Sequence, residues 1–235
     1  MPEGEDRSPR ITELFSIPLE NREIAFMYLG YAGVILRLGC STVAIDVANL
    51  LSGKEIANVE NFDLLLFTHS HRDHYDFQTT TEIFETTDAQ IVAQQLVAED
   101  LMRSVPSNRL TAAKPDAILS VDDFEIVAID GVHPGPISLY SITKEGWSIF
   151  HGGDSGYVPV KRYPADLAFL PTGTPSPSCS PETALKFALD LQPQVAVATH
   201  GTLAQMDRFK KIVEKKMTTT SVIIPKAYEP KKLTL

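Results

Sequence analysis

The chain has 235 residues, 43% of them hydrophobic and 22% charged, with a formal net charge of −9. That composition belongs to a soluble globular protein long enough for one large domain or two small ones. It argues against a nucleic-acid partner, which calls for a basic stripe, and against a membrane span, since no apolar run approaches the ~20 residues a helix needs to cross a bilayer.

In chain order, the polar, mixed-charge segment 1–10 reads as a flexible tail rather than a secretory or transit signal. Residues 11–235 read as a single domain without linker or repeat. The runs IAFMYLG, GVILRLG and STVAIDV follow one another with glycine-bearing turns, which predicts an antiparallel meander. FDLLLFTH and AQIVAQ come next, with helices expected over 76–87 and 95–103. FEIVAID, ISLYSIT, WSIFHGG, DLAFLP, QVAVATH and SVIIP are further strands, with helices over 181–191 and 203–216. Ser180 is placed to cap the third helix, with Pro181 at its first position and Glu182 at its positive end. Asp76 is placed to cap the first. Continuous apolar runs such as LLLF and VAVA suit strands covered on both faces. Two packed sheets with helices outside satisfy the whole pattern. Lys210, Lys211, Lys215 and Lys216 surround an apolar seam of Phe209, Ile212 and Val213, the pattern of a solvated helix face rather than a nucleic-acid grip. Cys40 and Cys179 have no CxxC partner, which argues against a disulfide framework and for a reducing, cytoplasmic home.

Chemistry concentrates in THSHRDHYD, residues 68–76, which holds three of the six histidines directly after LLLF. In extended backbone, residues two apart point the same way, so His69 and His71 can grip one ion together. Where the chain then bends toward a helix, Asp73 and His74 can turn toward a second ion. Imidazole with carboxylate suits a transition-metal pair better than calcium or magnesium. The remaining histidines, His133, His151 and His200, each lie at or beside the end of a predicted strand. One such histidine is ordinarily a hydrogen-bonded structural residue; a set of them joined to HSHRDH points to a shared metal site.

These residues, in this order, resemble the metallo-β-lactamase fold superfamily. STVAIDV is similar to its early strand ending in an aspartate, here Asp46; THSHRDH is its HxHxDH motif; His133, Asp154 in HGGDSG and His200 in ATHGT match its later landmarks. The resemblance is nearer to the small single-domain metal-dependent hydrolases related to L-ascorbate-6-phosphate lactonase-like proteins, through HGGDSG, DLAFLPTG and SPETALKFALDLQPQVAVATHGT. The chain departs from that branch at Gly30-Tyr31, where GH is usual, at Ile45-Asp46-Val47, where IDP is usual, and near Ser178-Cys179, where a threonine-methionine pair is common.

The resemblance implies an α/β fold, a four-layer αββα sandwich of two mixed sheets flanked by helices. It implies two divalent transition-metal ions, zinc first, with manganese or iron as alternatives. His69, His71 and His133 would hold one ion and Asp73, His74 and His200 the other, with Asp154 bridging. Asp46 would support a motif histidine, and His151, Tyr31 and Ser178 would brace the site or face substrate. Thr172 and Ser176 in the same loop are further pocket candidates, and Cys179 there reads as a loop filler. The implied reaction is hydrolysis of a small ester, lactone, thioester or phosphoester by a metal-bridging hydroxide, with Asp73 and Asp154 as catalytic residues and Arg72 attracting an anionic substrate. The alternatives are an iron-dependent oxidoreductase of dioxygenase type, a metal-dependent nuclease or phosphodiesterase, and a regulator with a vestigial site. The expected partner is a small molecule; a homo-oligomer is compatible with everything above.

Overall fold

The computed structural model describes residues 6–175 and 178–235. By the density of its internal contacts the chain divides into two compact units, one of residues 1–111 with 226–234 and one of residues 112–225 with 235.

The first unit is built on a mixed sheet. In chain order it contributes β1 (Glu23–Gly30), β2 (Gly33–Leu38), β3 (Ser41–Ile45), β4 (Leu64–Phe67), β5 (Gln90–Gln94) and β6 (Leu110–Ala113). β14 (Lys231–Thr234) adds the outer strand beside β1, giving the order β14-β1-β2-β3-β4-β5-β6. The expected meander is present as the antiparallel pairs β1–β2 and β2–β3, after which β3, β4 and β5 run parallel. LLLF is the whole of β4 and is buried throughout, as a strand covered on both faces requires. Because β1 runs with β3, the carboxyl ends of β1, β3 and β4 share one edge of the sheet. On that edge lie Tyr31, Asp46 and the stretch 68–74, where ligand sites collect in sheets of parallel strands.

Four helices accompany this sheet: α1 (Ser8–Ser16), α2 (Gly53–Ile56), α3 (Phe77–Thr87) and α4 (Gln95–Leu101). α1 corrects the reading of a tail for Ser8–Arg10, while residues 1–5 lie outside the described residues. Ser8, Pro9 and Arg10 form its first turn, and Ile11, Leu14 and Phe15 bury one stripe of it. Arg7 is held as well, paired with buried Glu55 at 2.5 Å and lying over the Tyr228 ring at 3.7 Å. Asp76 caps α3 as expected, its side chain accepting from the Thr79 N–H at 2.8 Å. Asp76→Ala is therefore expected to cost about 1 kcal/mol, read as a lowered denaturation midpoint with an unchanged slope in urea.

The second unit carries β7 (Ile118–Val121), β8 (Phe124–Asp130), β9 (Ser138–Lys144), β10 (Trp147–His151), β11 (Leu167–Pro171), β12 (Val195–Thr199) and β13 (Ser221–Ile223), in the order β13-β12-β11-β10-β9-β8-β7. β7 to β10 are antiparallel and β10 to β13 parallel. Two antiparallel steps restore direction, so β8, β10, β11 and β12 all end on one edge, which places His133, Asp154, Thr172 and His200 together there. α5 (Pro181–Leu191) and α6 (Leu203–Lys216) pack on β11, β12 and β13 and on each other. α5 presents Ala184, Phe187, Ala188 and Leu191 to the core, where Phe187 meets Phe150 at 5.8 Å between ring centres. Ser180 caps α5 by accepting from the Thr183 N–H, and Thr202 and Gln205 form a capping box at the start of α6. The lysines of α6 lie on its outer face, Lys210 paired with Glu214 and Lys211 with Asp207. Among the described residues no helix is long and apolar enough to cross a membrane.

Candidate metal centre

In the first unit, β4 delivers the chain into a tight loop in which the N–H groups of His74 and Tyr75 both donate to the His71 carbonyl, at 2.9 and 2.8 Å. The turn folds the motif back on itself. His69 and His74 come to 4.1 Å between ring centres and His69 and His71 to 4.6 Å, while Asp73 Oδ2 stands 3.8 Å from His74 Nε2. Tyr75 anchors the far end: its ring packs edge-on against Phe67 and its hydroxyl donates to Asp100 on α4 at 2.8 Å. Burial and the Asp100 carboxylate raise the Tyr75 pKa well above that of a free phenol, so it stays a donor.

Asp46 organises this loop. It sits just past β3 in the left-handed region, φ 49°, tolerable for aspartate and costly for most other side chains. Its N–H donates to Leu66 on β4, and its fully buried carboxylate accepts three bonds. Oδ1 receives the Thr68 N–H at 2.8 Å, and Oδ2 receives the Thr68 hydroxyl at 2.7 Å and His74 Nδ1 at 2.8 Å. Proton bookkeeping then assigns the rings. An ionised carboxylate only accepts, so His74 carries its proton on Nδ1 and turns a lone pair outward at Nε2. The single Thr68 hydroxyl proton goes to Asp46, so Thr68 Oγ1 acts as acceptor toward His69 Nδ1, 3.1 Å away, and His69 Nε2 is likewise the basic nitrogen. A ring nitrogen backed by a carboxylate or hydroxyl is the usual device for presenting imidazole to a metal.

In the second unit, His133 follows β8 and Asp154 follows β10, and His133 Nε2 lies 3.5 Å from Asp154 Oδ2. The Gly135 peptide occupies the other ring nitrogen, its N and O both 3.2 Å from Nδ1, so Nε2 is the atom turned to Asp154. Two ligand atoms each about 2.1 Å from one ion at a tetrahedral angle stand roughly 3.4 Å apart, and the His133–Asp154 separation fits such a pair. His200 leaves β12 in the left-handed region, φ 47°. Its neighbour Gly201 is required by close packing, because a Cβ there would meet Thr172 Oγ1 at 2.5 Å.

The remaining residues divide. His151 is fully buried, and its Nδ1 accepts the Gly153 N–H at 3.2 Å, which leaves the ring proton on Nε2. It braces the turn that carries Asp154. Ser178 is exposed and its N–H donates to the Asp154 carbonyl at 3.4 Å; Tyr31 is half exposed at a left-handed hairpin tip. Arg72 is exposed. Thr172, a pocket candidate, and Cys179, read as a loop filler, are both structural. The Thr172 hydroxyl is buried and donates to the Thr199 carbonyl at 3.0 Å. Cys179 lies wholly within the apolar core, where burial pushes its thiol pKa up to about 12. Alkylation of the native protein at pH 8 is therefore expected to modify exposed Cys40 and spare Cys179, which reacts only after unfolding. Ser176 lies outside the described residues. Thr68 is the functional residue not expected from the sequence, and its one signal there is a hydroxyl directly before the first motif histidine.

A family described as the beta-lactamase superfamily domain matches residues 45–201, more than half of the chain. A UPF0173 metal-dependent hydrolase of Lysinibacillus sphaericus is 27% identical over 226 residues, covering 86% of this chain and 96% of the relative. Among solved structures, Igni18, a metallo hydrolase of Ignicoccus hospitalis, superposes with a TM-score of 0.77 at 21% identity, covering 91% of this chain and 99% of that one. YhfI of Bacillus subtilis, a metallo-beta-lactamase fold protein, gives 0.69 at 16% identity over 90% and 100%. At these identities the structural likeness shows the fold, and it agrees with the mixed sheets and accompanying helices expected from the sequence.

Proposed function

Because the chain belongs to the beta-lactamase superfamily domain family, we propose that it is a metal-dependent hydrolase with a binuclear centre drawn from both donor sets. His69, His71 and His133 would hold one ion and Asp73, His74 and His200 the other, with Asp154 shared between them, as the resemblance of the motifs implies. The observation that carries this reading is the hydrogen-bond chain from Asp46 through Thr68, which holds the ring protons of His69 and His74 at Nδ1 and leaves Nε2 of each as the ligand nitrogen. That the Lysinibacillus relative is described as a metal-dependent hydrolase supports the same class of activity.

Two divalent ions, zinc by the donor set and manganese or iron as alternatives, would supply a water activated near neutral pH and stabilise charge developing on oxygen. The protein's own part is positional. Asp73, partly exposed, takes up the proton released as the attacking water loses it and passes it to the leaving group. Arg72 draws an anionic substrate toward the motif, and Tyr31 and Ser178 offer exposed hydroxyls to it. The substrate class is a small ester, lactone, thioester or phosphoester. Two free thiols fit a cytoplasmic setting.

Elemental analysis of protein purified without chelator, followed by a screen of the loaded enzyme against lactones, thioesters and phosphodiesters, tests the proposal. Bound zinc or manganese with turnover in one class is expected. Absence of tightly bound metal would sink it, and iron with oxygen uptake would transfer the site to the oxidoreductase reading.

A further inference from the structure

We infer that Ser155 is a positioning residue that clamps the His133 loop to the Asp154 turn, setting the spacing of two ligands in the proposed centre. The inference rests on that reading of the centre and adds a residue to it.

Ser155 is fully buried directly after Asp154, 23 positions from Val132, which directly precedes His133. Its Oγ accepts the Val132 N–H at 2.9 Å and donates to the Gly156 carbonyl at 2.7 Å. One hydroxyl thus uses its proton on the Asp154 side and its lone pair on the His133 side. The turn itself is tied elsewhere: Gly152 N–H donates to Phe169 at 3.0 Å, Ser155 N–H to Gly152 at 3.2 Å, and Gly153 N–H to His151. Across the same gap, Gly156 N–H donates to the Val132 carbonyl at 2.7 Å, and the Ser155 hydroxyl lies 3.5 Å from that carbonyl. The room for the hydroxyl is made by a glycine. A Cβ at Gly131 would stand 2.7 Å from Ser155 Oγ and nearer still to Ile137 and Leu139 side-chain atoms. Removing the hydroxyl leaves the backbone bond to hold the loops near one another, so the fold should survive while the fine spacing of His133 Nε2 and Asp154 Oδ2, 3.5 Å, relaxes.

The test uses the full chain and zinc itself as probe, titrated in competition with a chromophoric chelator. Ser155→Ala should weaken the ion held by His133 and Asp154 by about 10–100-fold, the usual effect of losing a supporting contact behind a metal ligand. Ser155→Thr, which keeps the hydroxyl, should recover most of it. The melting temperature of the metal-free protein should barely move. Unchanged affinity in Ser155→Ala overturns the inference. So does a loss that follows a fall in the metal-free melting temperature and is not rescued by threonine, since that marks a merely structural residue. Crystal structures of the metal-free wild type and Ser155→Ala keep this outcome distinct from failure of the hydrolase proposal. The His133–Asp154 separation should open in the variant, and an unchanged separation overturns the clamp whatever the protein binds.

Discussion

Asp154→Ala is expected to abolish turnover, by about 10³-fold or more, and to strip metal from the protein. Asp154 is buried beside His133 and is proposed to bridge two ions, so its loss removes a ligand and a compensating charge from each. Losing even one preorganised electrostatic contact at a reacting centre typically costs 10²–10³-fold, and a bridging carboxylate does more than one contact. Alanine leaves the turn intact, because Asp154 contributes its backbone carbonyl, not its side chain, to the bond with Ser178. The variant should therefore fold, elute like wild type and fail only in metal analysis and assay. Full metal occupancy in Asp154→Ala, or in the companion His71→Ala, would remove that residue from the ligand set.

Asp46→Ala is the second large effect and is of another kind. The carboxylate is fully buried and accepts three hydrogen bonds, two from Thr68 and one from His74. Deleting it leaves the Thr68 N–H and hydroxyl and the His74 Nδ1 proton inside the protein without their acceptor. That costs about 3–5 kcal/mol, the range for breaking a buried polar network by removing one partner. In a chain of this length such a loss lowers the melting temperature by roughly 10 °C or more. Asp46→Asn keeps the shape and one acceptor oxygen, so it should fold better, but its amide cannot fix the His74 tautomer. Metal affinity should then fall about 10–100-fold. Calorimetry of the metal-free proteins separates the two contributions, and an Asp46→Ala protein that melts with wild type and holds its metal would leave Asp46 without a supporting role.

Both predictions concern residues whose places in the fold were legible in the sequence, for a physical reason. HxHxDH follows a strand whose four residues are all apolar, and an apolar run that short can only be a covered strand, so the loop after it had to emerge at a sheet edge. The places of His133, Asp154 and His200 were legible in the same way, each beside the end of a run of strand residues. Local signals failed where an element is short or polar. α1 carries a proline and two arginines in or beside its first turn, and only the spacing of Ile11, Leu14 and Phe15 marks it as a packed helix. β7 exposes Ile118, and β14 is Lys-Lys-Leu-Thr on an outer edge, so neither shows the alternation of a half-buried strand. Ser155 and Thr68 were illegible as participants because their partners are brought to them by topology. Val132 lies 23 residues from Ser155 and Asp46 lies 22 from Thr68, and no periodicity in a single chain encodes such a pairing. Thr172 and Cys179 erred in the opposite direction. A loop rich in proline and serine suggested exposure, yet its first and last turns are drawn inward by the Thr199 carbonyl and by the apolar face of α5.

The pairing of β14 with β1 also sets an order of events in time. Glu23 lies opposite Thr234 and Phe26 opposite Lys231. The second unit is almost continuous in sequence, from Ala112 to Pro225, and can close as it is synthesised. The first unit can pair β1 to β6 early but gains its outer strand only last. Its sheet waits, with the outer row of β1 amide and carbonyl groups open to any passing strand, until residues 231–234 have left the ribosome. The nascent protein is thus open to mispairing on a segment made early, and a chaperone that shields Glu23–Gly30 during that delay should raise the yield of folded protein.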